Sequence, residues 1–131
     1  MYLLDTDTLI YIIKGEEQVV KHLRLHLNDT IKVSVITLME LYYGAYKSQK
    51  ISTNLAKIKK IETSLEVIPV EEDAVAVFGS LKAKHETQGN RLDDFDLAIA
   101  TCALVNDLTL ISNNLKHFQR IEGLKLDNWK L

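Results

Sequence analysis

The feature that most constrains this chain is an alternation: short apolar or β-branched runs, each followed by a longer segment with helical spacing. Tyr2 to Leu4 reads as a buried strand closed by Asp5, and Thr8 to Ile13 as a short helix ending near Gly15. Gln18 to Leu27 places Val19, Val20, Leu23 and Leu27 on one helical face. Ile31 to Val35 is short and β-branched, a second strand; Leu38 to Tyr46 is helical, and Leu55, Ile58, Ile61 and Leu65 mark another helix. Leu65 to Val70 gives a third strand. Ala74, Val77, Phe78 and Leu81 give the next helix, which fades into the polar Gln88-Gly89-Asn90-Arg91. Leu97 to Val105 is almost wholly apolar, a buried helix, and Leu108 to Ile111 and Leu124 to Leu126 are the fourth and fifth strands.

Strands separated by helices fold into a parallel sheet covered on both faces through right-handed crossovers. The expected fold is α/β: a three-layer α/β/α sandwich on a mostly parallel five-stranded sheet. The 131 residues are the length of one domain, carry no linker-like stretch or repeat, and are expected to form a single unit over 1–131. In such sheets sites form beyond the carboxyl ends of the strands, where the strand order reverses. The polar residues at those exits are mostly acids: Asp5 and Asp7 after strand one, Glu40 after strand two, and Asp93, Asp94 and Asp96 before the buried helix. Ser112, Asn113 and Asn114 follow strand four.

Composition narrows the function classes. No apolar run approaches the roughly 20 residues of a membrane span. The start, Met-Tyr-Leu-Leu-Asp, has no basic leader, and the single Cys102 allows no internal disulfide, so a cytoplasmic protein is expected. The net charge of −2 is not that of a protein that coats nucleic acid, yet Leu41 to Ile61 contains no acid while carrying Lys47, Lys50, Lys57, Lys59 and Lys60 beside Tyr42, Tyr43 and Tyr46. His22 and His26 stand at i, i+4 but lack the Glu or Cys partners of a zinc site, and read as an exposed helix face. Cys102 lies inside the apolar helix, as an inert buried thiol does. The glycines stand apart, with no phosphate-cradling loop, which disfavours nucleoside triphosphate hydrolysis.

Each acid has a structural reading as well as a chemical one. Thr37-Leu38-Met39-Glu40 has the spacing of a capping box, and Asp93-Asp94-Phe95-Asp96 lies where Asp caps free N–H groups at a helix start. The readings are compatible, because a capped carboxylate is held rigidly, as a metal ligand must be. Carboxylates gathered at neighbouring strand ends repel: two unit charges ~4 Å apart at an effective dielectric of ~20 cost on the order of 4 kcal/mol. Either one stays protonated or a cation joins them, and all-oxygen donors suit Mg²⁺ or Mn²⁺.

Four segments carry a resemblance that runs nearly end to end. Tyr2-Leu3-Leu4-Asp5-Thr6-Asp7, Ser34 to Ala45 around Glu40, Asp94-Phe95-Asp96-Leu97-Ala98-Ile99-Ala100, and Leu110-Ile111-Ser112-Asn113-Asn114 with Phe118, Arg120-Ile121 and Trp129 occur in the order and spacing of the PIN-domain family. Within it the chain resembles the VapC-type toxins of bacterial toxin–antitoxin pairs. The resemblance implies a metal-dependent endoribonuclease that hydrolyses RNA phosphodiester bonds, in transfer or ribosomal RNA, with carboxylate-held Mg²⁺ or Mn²⁺. Asp5, Glu40 and Asp96 would be ligands directly or through water, Asp94 a fourth acid, and Asn114 an oxygen donor where many members carry Asp. It also implies an antitoxin partner, sought on the helices covering Leu38 to Leu65 and at Tyr42 or Tyr46 in particular, and a homodimer. Three positions depart from the family pattern: Asp7 stands for its usual Asn or Ser, Asp93 for a common Gly, and Asn114 for Asp.

Two other readings compete. A catalytically silent PIN fold used as a binding module would keep the fold without the chemistry. A signalling receiver domain would need a phosphoacceptor Asp ending a central strand and a Lys ending a later one; the strand ends at Ile36-Thr37 and Glu71-Glu72 supply neither.

Overall fold

A computed structural model describes residues Met1–Leu131. In chain order the elements are β1 (Tyr2–Leu4), α1 (Thr6–Lys14), α2 (Glu17–Leu25), β2 (Ile31–Ser34), α3 (Val35–Lys47), α4 (Ile51–Ser64), β3 (Glu66–Ile68), α5 (Glu72–Thr87), α6 (Asp94–Val105), β4 (Thr109–Ile111), α7 (Leu115–Phe118) and β5 (Leu126–Asp127). The strands pair in the order β3-β2-β1-β4-β5, and every pairing is parallel, so the expected sheet is wholly rather than mostly parallel.

β1 lies in the middle of the sheet, and its alternation shows why a parallel sheet needs two cover layers. Leu3 and Leu4 point to opposite faces and both are fully buried. Leu3 joins Leu97, Ile99, Ala100 and Phe118 in a core closed by α5 and α6. Leu4 joins Leu9, Val19, Leu38, Leu41 and Trp129 in a second core closed by α1 to α4. The rings of His22 and His26 stack against Trp129 with centroids 6.1 and 5.0 Å away, so this pair, expected on an exposed helix face, is half-buried at the second core's edge. No helix is long and apolar enough to cross a membrane.

Several boundaries differ from the periodicity. The second strand ends at Ser34, one residue before the expected Val35, because the Ser34 hydroxyl accepts the Ile36 N–H (3.0 Å) and caps α3 directly off the strand. The Thr37–Glu40 capping box therefore does not form: Thr37 is buried in the first turn and Glu40 points elsewhere. The third strand contracts to Glu66–Ile68 and the fifth shifts to Leu126–Asp127. The one-turn α7 has no counterpart in the periodicity, since four residues are too few to show a period. α1 stops where expected, at Gly15, whose φ of +74° only glycine adopts freely.

The chain leaves β1 toward β2 and β3, then returns to β1's other side as β4. The switch of direction lies between β1 and β4, and their carboxyl ends carry Asp5 and Ser112.

Candidate active site

Asp5 begins the site because β1 ends there and α1 starts. It is the N-cap of α1, 4% exposed, and its Oδ1 accepts the Thr6 N–H at 2.8 Å. Its Oδ2 accepts the hydroxyl of buried Ser112 from the end of β4 (2.7 Å). The backbone joins the same strands, with Asp5 N–H on the Ile111 carbonyl at 2.9 Å. Glu40 arrives from the second turn of α3, where the Thr6 hydroxyl donates to its Oε1 (2.7 Å) and also lies 3.2 Å from the Thr37 hydroxyl. Asp7 accepts the Asn113 N–H at 3.1 Å and the Thr8 hydroxyl at 3.3 Å. Every one of these carboxylates is held by neutral hydroxyl or amide donors. None of the five ion pairs of the chain includes Asp5, Asp7, Glu40 or Asp96.

That leaves uncompensated negative charge, and the acids respond to it. Asp5 is pushed up to about 7, first by burial and then by the charge of Asp7, with Asp96 adding a little; its bonds from Ser112 and Thr6 pull the other way. Asp96, in the first turn of α6, is pushed up to about 6 by burial and then by Asp93, Glu40 and Asp7, against the opposing charge of His117. Asp7 is raised as well, chiefly by burial. The mutual repulsion places Asp5, Asp7, Glu40, Asp93 and Asp96 in one electrostatic group, drawn from β1, α1, α3 and α6. No three of them converge closely enough to ligate one ion all directly. The donor set is all oxygen and its charge lacks a cation, which is the chemistry a hard divalent ion fits.

The remaining expected residues lie elsewhere. Asp94 is exposed and turned away from the group, its carboxylate 3.0 Å from Lys82 Nζ of α5. Asp93 takes the capping role, accepting the N–H groups of Phe95 (3.1 Å) and Asp96 (3.4 Å) at the start of α6. Asn114 stands half-buried at the rim, its side-chain amide 2.8 Å from His117 Nδ1. Two residues matter more than the sequence suggested. The Thr6 hydroxyl bridges the first helix to Glu40, and His117 acts on Asp96 against the pull of its acidic neighbours. In sequence Thr6 stands, with Asp7 and Ser112, only as a weak supporting candidate beside Asp5, and His117 carries no signal beyond lying in a basic stretch with Lys116 and Arg120.

The family profile described as the PIN domain matches residues 2–124. Ribonuclease VapC2 of Haemophilus influenzae is 37% identical over 129 residues, spanning 98% of this chain and 97% of that protein. The tRNA(fMet)-specific endonuclease VapC of Salmonella typhimurium is 35% identical over 98% of this chain and 97% of its own length. Among solved structures, VapBC2 from Rickettsia felis bound to a DNA fragment from their promoter superposes with a TM-score of 0.92 at 35% identity, covering 98% of both chains. DNA-bound VapBC from Salmonella typhimurium gives 0.91 at 34% identity, covering 98% of this chain and 97% of that one. The chain belongs to the PIN-domain family, on its VapC ribonuclease branch.

Proposed function

We propose that this protein is the toxin of a toxin–antitoxin pair, a divalent-metal-dependent endoribonuclease that hydrolyses RNA phosphodiester bonds. The observation that carries the reading is the group of Asp5, Glu40 and Asp96 at the β1–β4 switch, buried, raised or crowded, and lacking any paired cation. Mg²⁺ or Mn²⁺ would be held by Asp5, Asp96 and Glu40, in part through water, and when bound would polarise a phosphate and make hydroxide available near neutral pH. The chain's own groups set the stage for it. Ser112 and Thr6 fix the two oxygens of Asp5, Thr6 aims Glu40 across from α3, and Asp93 holds the start of α6 so that Asp96 faces inward. Asn113 N–H and Thr8 hold Asp7 beside Asp5, where it keeps a proton or a cation in demand. Asn114 would offer an oxygen at the rim, and Asp94 would act on the centre only weakly, from outside.

This division can be measured. Asp96→Asn is expected to lower RNA cleavage by at least about 10²-fold, whereas Asp94→Asn, which removes only an exposed ion pair, should change it by less than about threefold and stability by under about 1 kcal/mol. Equal losses in the two variants would move Asp94 into the centre. The reading as a whole is tested by purified, antitoxin-free protein and a labelled pool of cellular RNA. Cuts at few sites with Mg²⁺ or Mn²⁺, ending on addition of EDTA, are expected; cutting that continues in EDTA would remove the metal from the mechanism.

The antitoxin would occupy the apolar groove of about 430 Å³ between α1, α2 and α4, lined by Leu9, Ile12, Ile13, Leu23, Ile61 and Leu65 with Lys57 and Lys60 at its edge. An amphipathic helix laid into such a groove buries its apolar face and can present acids to the lysines. This groove shares α4 with the helices expected to carry the contact but lies apart from Tyr42 and Tyr46; the Tyr42 hydroxyl donates to Glu62 of α4 at 2.5 Å. Ile13→Glu should weaken binding of the purified cognate antitoxin by at least about tenfold in a titration, the cost of setting one charge in an apolar contact. Unchanged affinity would place the antitoxin on another face.

A further inference from the structure

One side of α3 leads outward from the acidic centre. Glu40 faces Thr6, and Tyr43 and Lys47 follow three and seven residues later, within about 60° of Glu40 around an axis that turns roughly 100° per residue. Tyr43 is 66% exposed, and Met39 and Tyr46 beside it are more than half exposed. Lys47 Nζ donates to the Tyr43 hydroxyl at 3.3 Å and lies 5.6 Å from the ring centroid, so an aromatic face and a cation are presented together. The chain here carries no acid from Leu41 to Ile61, and Lys47 and Lys50 are exposed. The neighbouring Tyr42 is turned inward to Glu62, which fixes the helix from behind.

An acidic centre repels the polyanion it has to cut. Affinity for the substrate must therefore come from the flanks, and this is the acid-free flank that begins at Glu40. We propose that Tyr43, with Lys47 beside it, is a stacking platform for an unpaired base of the RNA next to the scissile phosphate, Lys47 meeting a backbone phosphate. The proposal rests on the ribonuclease reading above. A tyrosine ring stacks on any base, so the platform supplies affinity and register while leaving sequence choice to other loops.

The test is fluorescence anisotropy of a labelled single-stranded RNA of about 10 nucleotides, within the usual footprint of such grooves. Antitoxin-free protein is held in EDTA so that binding is read without cutting. Tyr43→Ala should weaken binding about tenfold, Tyr43→Trp should restore it, and Tyr43→Leu should not, which separates stacking from apolar bulk. Lys47→Ala should lower the slope of log affinity against log salt by about 0.7. Sedimentation of the same variants reports self-association. Loss of a dimer with unchanged RNA affinity per protomer would overturn the proposal and give this face to a second copy. Wild-type affinity in Tyr43→Ala, or no RNA binding by the wild type, would overturn it equally. Tyr43-dependent binding by a protein that cuts nothing with metal would uphold the platform and defeat the nuclease. Cutting by the wild type with Tyr43→Ala binding normally would do the reverse.

Discussion

Asparagine in place of Asp5 is expected to end RNA cleavage, by about 10³-fold or more, while making the metal-free protein more stable at pH 7.5. The two effects share a cause. Asp5 is buried beside Asp7 and Asp96 with no cation, and folding raises it from its ordinary 3.8 to about 7. Between those values the folded chain holds a proton that the unfolded chain has lost, so stability falls as pH rises through the window from about 4 to 7. The contribution is fully present below about 4 and gone above about 7. A carboxyl moved that far costs at most on the order of 4 kcal/mol at neutral pH, less where the charge is shared with Asp7. Asparagine keeps the contacts: its oxygen accepts the Thr6 N–H, and its amide donates to the Ser112 oxygen. It removes the charge. Metal-free Asp5→Asn should therefore melt several °C above wild type at pH 7.5 and close to it at pH 4, in parallel thermal scans. A difference that grew toward low pH would contradict the burial of an uncompensated carboxylate.

The largest structural effect is expected from Trp129→Ala, a loss of about 3–5 kcal/mol, or roughly 10–20 °C in melting temperature. Trp129 is 1% exposed, packs edge-on to Tyr2 with centroids 5.6 Å apart, and lies beneath the stacked rings of His22 and His26. Its removal opens a cavity where β1, α2 and the final segment meet. The damage should reach the site, because the neighbouring Asn128 amide donates to Asn113 Oδ1 at 3.1 Å, and Asn113 holds Asp7. Urea unfolding would measure the loss, and Trp129→Phe, which keeps a ring, should recover at least about half of it. A loss below about 1 kcal/mol in Trp129→Ala would mean that the terminal segment is not part of the cooperative fold.

How far the sequence speaks for the site depends on whether a side chain's direction is decided locally. Asp5 was legible because a buried strand ends on it and a helix starts: one residue, one direction. Glu40 was legible as an acid near a strand end, but its spacing from Thr37 suggested a cap that Ser34 had already supplied from the strand itself. Its true partner, the Thr6 hydroxyl, lies 34 residues away and emerges only when β1 and β2 pair. Asp93 and Asp94 were inseparable in sequence, since either can cap α6. Asp93 does so, and Lys82 of another helix draws Asp94 outward. Tyr42 and Tyr43 differ by one step of about 100° around α3: Tyr42 falls beside the buried stripe of Leu38, Leu41 and Ala45 and meets Glu62 of α4, and Tyr43 faces solvent. The layers and the parallel sheet were readable because they rest on period, which is local. The partners across the switch point rest on packing, which is not.

On the reading proposed above, these acids form an ion-dependent cutting centre. Its most direct measurement is titration of antitoxin-free protein with Mn²⁺ by calorimetry, paired with cleavage of labelled cellular RNA by the same samples, in wild type, Asp5→Asn and Asp96→Asn. Wild type should bind Mn²⁺ and cut, and both variants, folded by their melting curves, should lose binding and cutting together. Asp5→Asn that binds no Mn²⁺ yet cuts RNA like wild type would contradict it.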